Sequence, residues 1–279
     1  MLTTPTIRLA NDTGTSASDN ITADPTLTGT AAPGTVVTLM EGTTVLGTAT
    51  ADATGRWGFL SPFSGIAEGS HTITANTAGG SSSLTFTLDR SLVTPTIGLA
   101  NDTGTSISDN ITSDATLTGT TDAGAAVAVY DLTGFILGSS PPVLLATVTA
   151  DASGTWSYTP SVPDGPHAFM AHATDVAGNV RDSSPLFVTI DTASPTIMLF
   201  NDTGASGSDH ITANPILTGT AAPGTAVTLM EGTTVLGTGT VDGTGTWGFL
   251  PTIGEGSHTV TVNTAGGSSS LTFTSTTRS

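Results

Sequence analysis

PTIRLANDTGTSASDNIT (5–22) returns as PTIGLANDTGTSISDNIT (95–112) and again as PTIMLFNDTGASGSDHIT (195–212). Outward from each copy the same landmarks follow in the same order. LTGTAAPGT (27–35), LTGTTDAGA (117–125) and LTGTAAPGT (217–225) come first, then GRWGF (55–59), GTWSY (154–158) and GTWGF (245–249). GSHTI (69–73), GPHAF (165–169) and GSHTV (256–260) close the series. The 279 residues thus divide into modules 5–94, 95–194 and 195–279. A period this long, with one Trp per unit, marks whole domains in series rather than turns of a solenoid. Modules 1 and 3 are nearly identical between Leu27–Leu60 and Leu217–Leu250, while module 2 has diverged. Such alternation reduces the risk that identical neighbours exchange strands while folding.

Composition gives the modules their class. The chain carries 18 Asp against 4 Glu, and Thr, Gly and Ser are abundant among the rest. Asp favours turns, where its short side chain bonds nearby backbone, whereas Glu favours helices. No long stretch has a 3.6-residue apolar period. In module 1 strand signals recur near 5–10, 25–30, 35–40, 44–50, 56–60, 70–76 and 83–88, which we letter A to G. Turn chemistry separates them at Pro33-Gly34, Glu41-Gly42, Asp52 to Gly55, Gly69 and Gly79-Gly80. About seven short antiparallel strands per module predict an all-β chain of three tandem immunoglobulin-like β-sandwiches in an elongated array. Trp57, Trp156 and Trp247 are expected in the cores. Without Cys there is no inter-sheet disulfide, so apolar packing must hold each module.

Several functions are disfavoured. A net charge of −17, with five Arg and no Lys, repels nucleic acid and anionic membranes. No run of 18 apolar residues is present, and the start MLTTPTIRLAND has no basic-then-apolar secretion signal. Asp-Thr-Gly at Asp12, Asp102 and Asp202 matches the tripeptide of aspartic proteases. That chemistry needs two such loops face to face in apolar surroundings, sharing one proton. Here the flanks are polar and the copies are three, so the expectation is no enzyme and no catalytic residue. His71, His167 and His258 recur at the start of strand F and are expected to make structural hydrogen bonds.

The ordered landmarks LTGTAAPGT, ADATG before Trp, GSHT and, in module 2, ATDVAGNV (173–180) then IDTASP (190–195) resemble tandem bacterial Ig-like modules of large secreted adhesins of the RTX and biofilm-associated type. The resemblance spans essentially the whole chain. It implies a stalk segment at the bacterial cell surface or secreted outside the cell, serving adhesion or biofilm formation. It also implies Ca²⁺ near module junctions.

The topology of a seven-strand sandwich says where the carboxylates go. The A–B loop and the end of strand G share the end facing the next module; the B–C, D–E and F–G loops face the preceding one. Asp12, Asp19 and Asp89 should therefore meet Asp151, Asp175 and Asn179 at the first junction. Asp102, Asp109 and Asp191 should face Asp242 at the second, and Asp202 and Asp209 should lie at the far end of module 3. Clustered carboxylates, Asn and backbone carbonyls suit the 6–8 oxygen ligands of Ca²⁺, although the loop lacks the acidic positions of an EF-hand. The other reading makes these Asp residues solvated turn formers.

The expected function is a stalk segment stiffened by structural Ca²⁺, a monomeric rod whose partners are its own neighbouring modules. The alternative is a module that binds a carbohydrate or protein. Module 2 is the candidate, because its longer hairpin DLTGFILGSSPPVLLAT (131–147) could expose Phe135, Ile136 and Leu137. A hairpin folded onto its own module is the plainer reading of that insertion.

Overall fold

The computed structural model describes residues 3–60, 66–103 and 108–276. In module 1 the elements are β1 (Arg8–Leu9), β2 (Ile21–Thr22), β3 (Leu27–Thr30), β4 (Val36–Glu41), β5 (Thr44–Thr50), β6 (Arg56–Phe59), β7 (Gly69–Thr77) and β8 (Gly80–Leu88). They form two sheets, β1-β3-β6 and β2-β8-β7-β4-β5. Polar, Gly- and Asp-rich turns between short β-branched runs are what let strands this short fold back on one another.

Modules 2 and 3 repeat the plan. Module 2 has β9 (Gly98–Leu99), β10 (Ile111–Thr112), β11 (Leu117–Thr120), β12 (Ala126–Asp131), α1 (Thr133–Ile136), β13 (Val143–Thr149), β14 (Thr155–Tyr158), β15 (Gly165–Thr174), β16 (Val180–Asp182) and β17 (Leu186–Ile190). Module 3 has β18 (Met198–Leu199), β19 (Ile211–Thr212), β20 (Leu217–Thr220), β21 (Ala226–Glu231), β22 (Thr234–Thr240), β23 (Thr246–Phe249), β24 (Gly256–Thr264) and β25 (Gly267–Ser275). The chain is thus three Ig-like sandwiches in tandem, as its repeats predict.

One feature departs from the all-antiparallel expectation. Strand A is split. Its first half, β1, pairs antiparallel with β3, after which the chain crosses to the other sheet. Its second half, β2, pairs parallel with the end of β8, Ile21 against Thr87 and Thr22 against Leu88. β10 with β17 and β19 with β25 do the same. The NDTGTSASDN stretch is therefore a loop that switches sheets, not the A–B loop. The crossing needs a residue in the left-handed region just before the second half-strand, and Asn20, Asn110 and His210 take φ of 59°, 58° and 57° there. Asn is among the non-Gly residues that tolerate this conformation best.

The cores lie between the sheets. In module 1 Leu27, Val37, Leu39, Ile73, Ala75, Phe86 and Leu88 pack around Trp57, and equivalent sets surround Trp156 and Trp247. The glycine of each LTGT strand lies flat against this indole. A Cβ on Gly29 would come 1.9 Å from the Thr6 carbonyl oxygen and 2.6 Å from Trp57 Cζ2, so only Gly lets β1, β3 and the Trp close up.

The His positions that recur in the three modules act as struts. His71 Nδ1 lies 2.7 Å from Glu41 Oε1 and its Nε2 lies 2.9 Å from the Ala67 carbonyl, tying strand F to strand C and to the preceding loop. His167 does this with Asp131 and Pro163, and His258 with Glu231 and Gly254.

Candidate cation sites at the module junctions

Each sheet-switching loop holds its acidic residues in one local arrangement. Asp12 Oδ2 accepts the Asn20 amide at 3.1 Å, and Asp19 Oδ1 accepts the Ile21 amide at 3.0 Å. Asp102 and Asp109 repeat this with the Asn110 and Ile111 amides, and Asp202 and Asp209 with those of His210 and Ile211. The hydroxyl of the buried Thr22 donates to the Asn11 carbonyl at 3.0 Å and anchors the loop from below. In all three copies the remaining Oδ1 of the first Asp (Asp12, Asp102, Asp202) is buried with no hydrogen-bond partner. A buried carboxylate oxygen without a donor is costly, and a cation relieves that cost. None of the three carboxylates pairs with another, since each is bound to an amide eight residues on within its own module.

At the first junction this loop meets module 2. Thr13 Oγ1 donates to the Ala177 carbonyl, and Gly14 (φ 95°) sits under the Val176 carbonyl, where a Cβ would come within 1.9 Å. Asp175 is buried and accepts the Asn179 amide at 2.8 Å and its side-chain NH₂ at 2.8 Å. The same NH₂ donates across the junction to the Asp89 carbonyl at 3.0 Å. Burial pushes the Asp89 carboxyl above its usual range, and the charges of Asp175, Glu68 and Asp122 push the same way. A hydrogen bond from the Ser91 amide opposes them.

The second junction is built differently. Asp191 is fully shielded from solvent, and neither of its oxygens closes a hydrogen bond. Burial is the main cause raising its proton affinity, and the nearby charge of Asp164 adds to it. The Gly266 amide and the hydroxyls of Thr264 and Thr225, all from module 3, are the groups that oppose this. Gly266 lies against the linker itself: a Cβ there would be 2.2 Å from the Ala193 carbonyl oxygen and 2.8 Å from Asp191 Oδ1. At the far end of module 3 the Asp202 carboxyl lies beside that of Asp209, which accepts the Ser206 and Ile211 amides.

Two of the expected residues occupy self-contained turns. Asp151 Oδ1 accepts the Ser153 amide, the Ser153 hydroxyl and the Thr155 amide at 2.8, 2.6 and 3.0 Å. Asp242 does the same with Thr244 and Thr246. These bonds hold both carboxyls below their usual range, led by the Ser153 and Thr244 hydroxyls. Among the described residues, no three His, Asp or Glu side chains gather closely enough to hold a metal by themselves. Any cation would need backbone carbonyls, Asn179 or Thr hydroxyls alongside the carboxylates.

Three junction residues escaped the sequence reading. Glu68 accepts the Arg90 amide at 2.8 Å, Asp122 accepts the Val93 amide at 3.0 Å, and Asp164 accepts the Thr192 amide and hydroxyl at 3.2 and 2.8 Å. Glu68 and Asp164 fix the start of a linker, and Asp122 fixes the end of the first one. Their signal was present for two of them: Glu68 and Asp164 stand directly before the Gly that opens the His-bearing strand.

Sandwiches joined end to end, with acidic loops at the joints and no enclosed catalytic constellation among the described residues, define a tandem Ig-like repeat protein. Residues 1–90, 87–192 and 193–276 each match the family described as the bacterial Ig-like domain, and the chain belongs to that family. Among solved structures, a tetra-tandem repeat in the extending region of a large adhesion protein is 23% identical, covers 99% of this chain and 75% of its own, and has a TM-score of 0.32. A structure concerned with host cell surface retention of a 1.5-MDa bacterial ice-binding adhesin is 20% identical, with 98% and 97% covered and a TM-score of 0.31. A biofilm-associated protein domain is 22% identical over 62% of this chain and 29% of that one, with a TM-score of 0.26. Curated proteins give no match. No helix among the described residues is long and apolar enough to cross a membrane.

Proposed function

We propose that the chain is a non-catalytic extender segment of a bacterial extracellular adhesin, whose junctions are stiffened by Ca²⁺. Membership of the bacterial Ig-like family supports the setting. The observation that carries the calcium reading is the set of buried carboxylate oxygens that close no hydrogen bond: Oδ1 of Asp12, Asp102 and Asp202, and both oxygens of Asp191, which has only the Gly266 amide and the Thr264 and Thr225 hydroxyls beside it. Asp12, Asp89, Asp175 and Asn179 are the groups that would serve the first junction, and Asp191 with Asp102 the second. When bound, Ca²⁺ supplies positive charge that neutralises these carboxylates. Extracellular modules bind it with dissociation constants of about 10⁻⁴–10⁻³ M, and tenfold excess adds roughly 1.4 kcal/mol per site. That is small against folding and sufficient to bias a hinge. Scattering and melting curves of the whole chain in Ca²⁺ and in chelator test this. A longer maximum dimension and higher melting temperature with Ca²⁺ are expected, and no change in either would falsify the proposal.

A second reading is favoured by module 2 itself. Its insertion forms the one-turn α1, none of whose residues is buried, and Phe135, Ile136 and Leu137 are 59%, 50% and 76% exposed. Phe187, 61% exposed, shares a small cleft with Ile136, Leu137 and Pro166. The insertion does not tuck these side chains into its own core. Binding of carbohydrate or protein ligands by module 2 would be seen on a glycan array or by pull-down, and lost in Phe135→Ser/Leu137→Ser.

A further inference from the structure

Two of the five arginines in this acidic chain, Arg8 and Arg56, stand on the outer face of the three-stranded sheet of module 1. They flank β3 on opposite sides, Arg8 opposite Thr28 on β1 and Arg56 opposite Thr30 on β6. Both are exposed, and both line one cleft of about 330 Å³ with Thr6, Thr28, Gly29 and Thr30. Strands lie about 4.8 Å apart, so two Arg separated by one strand can bring their guanidinium groups to bear on the same ligand. Among the described residues no salt bridge to either guanidinium is seen, and Asp52, which accepts the Arg56 amide, is an acidic group that feels the charge of Arg56.

The pair belongs to module 1 alone. Gly98 and Thr155 hold the matching register positions in module 2, and Met198 and Thr246 in module 3. The fold therefore does not require arginine at either place. Arg56 is also one of only a few differences between the otherwise near-identical stretches 27–60 and 217–250.

We propose that this face of module 1 is a binding site for a carboxylate-bearing polysaccharide. Arg is the side chain that pairs two parallel N–H donors with one carboxylate, and two of them over a flat, hydroxyl-lined floor suit an acid group on a sugar ring. The cleft has no apolar side chain to anchor a peptide or lipid. Double-stranded nucleic acid carries one charge per about 1.7 Å of its axis, a denser line than one carboxylate per sugar ring, so the chain's net charge of −17 weighs more heavily against it. At physiological salt screening acts over about 8 Å, which lets a local cationic pair act within an acidic surface.

The experiment is affinity electrophoresis of the full chain in gels containing polygalacturonate, with chelator present so that no metal bridges polymer and junction carboxylates. Retardation by polygalacturonate and none by neutral dextran is expected. Arg8→Met/Arg56→Thr, which installs the module 3 side chains at both positions, should weaken binding roughly tenfold, as loss of charge-assisted hydrogen bonds does. Its melting curve should match that of the parent. Equal retardation of parent and double variant, equal retardation by dextran, or tighter binding of single-stranded DNA than of the polyuronate would each overturn the proposal.

Discussion

Gly29, Gly119 and Gly219 show how strictly one atom is controlled in these modules. A methyl group at any of them would meet a strand-A carbonyl at 1.9 Å and the Trp ring at 2.6–2.8 Å, both fixed parts of the core. Gly29→Ala should cost about 3 kcal/mol through overpacking, read as a lowered melting temperature. Asp191 lies at the other extreme, a residue whose cost depends on solution conditions. Its folded-state proton affinity is raised above that of the unfolded chain. Its stabilising contribution is therefore fully present below the ordinary carboxylate range and is lost as pH rises through the raised value. In chelator, Asp191→Asn should raise the melting temperature near neutral pH and change it much less once the pH falls below 3.8. A variant less stable than the parent at both values would mean that the carboxylate, not its burial, holds the joint. Asp114 and Asp24 have the opposite sign. Hydrogen bonds led by Thr116 lower the first, and those from Asn11 and Thr26 outweigh burial at the second, so their contribution is lost only as pH falls below 3.8.

At the level of elements, the strands from B to G were legible because alternating β-branched residues and Gly or Pro turns carry a local signal. Those placed at 44–50 and 56–60 are observed at Thr44–Thr50 and Arg56–Phe59. The split of strand A was not legible. Ile21-Thr22 is too short to show alternation, and its partner in β8 lies some sixty residues away, so nothing near it in sequence announces a parallel pair. The acidic residues divide by the same logic. Asp52-Ala-Thr-Gly, Asp151-Ala-Ser-Gly and Asp242-Gly-Thr-Gly each write their own turn, with every donor to Oδ1 within four residues. The unsatisfied oxygen of Asp12 and the shielding of Asp191 arise only from tertiary placement, and composition alone does not single them out. α1 is an element that modules 1 and 3 do without. Replacing 132–142 by the two-residue Gly-Thr turn of module 1 should cost about 1–3 kcal/mol, because it removes the buried Leu132 and the bonds of Leu132 and Thr133 to Ala168, while the exposed Phe135, Ile136 and Leu137 add little to that loss. An unchanged melting temperature would show that these contacts do not brace strand F.

Across the whole molecule the two joints differ in kind. The first is a polar clasp, in which Thr13 reaches Ala177 and Asn179 reaches Asp89; the second is a buried acid whose neighbouring donors close no hydrogen bond. Thr13→Val and Asn179→Ala should loosen the first joint in scattering profiles even with Ca²⁺ present, each also lowering the stability of its own module by about 1 kcal/mol, because Thr13 accepts the Ala23 amide and Asn179 donates to the buried Asp175. The parallel half-strands add a consequence for a chain under tension. In each module β2, β10 or β19 runs beside the final strand, joined by Thr87 to Asn20 and Asp89 to Thr22, and by the equivalent amide–carbonyl pairs in the other two. Pulling the ends apart would drag these neighbouring strands in opposite directions along their length, so that both bonds resist together in shear instead of parting one after another like a zip.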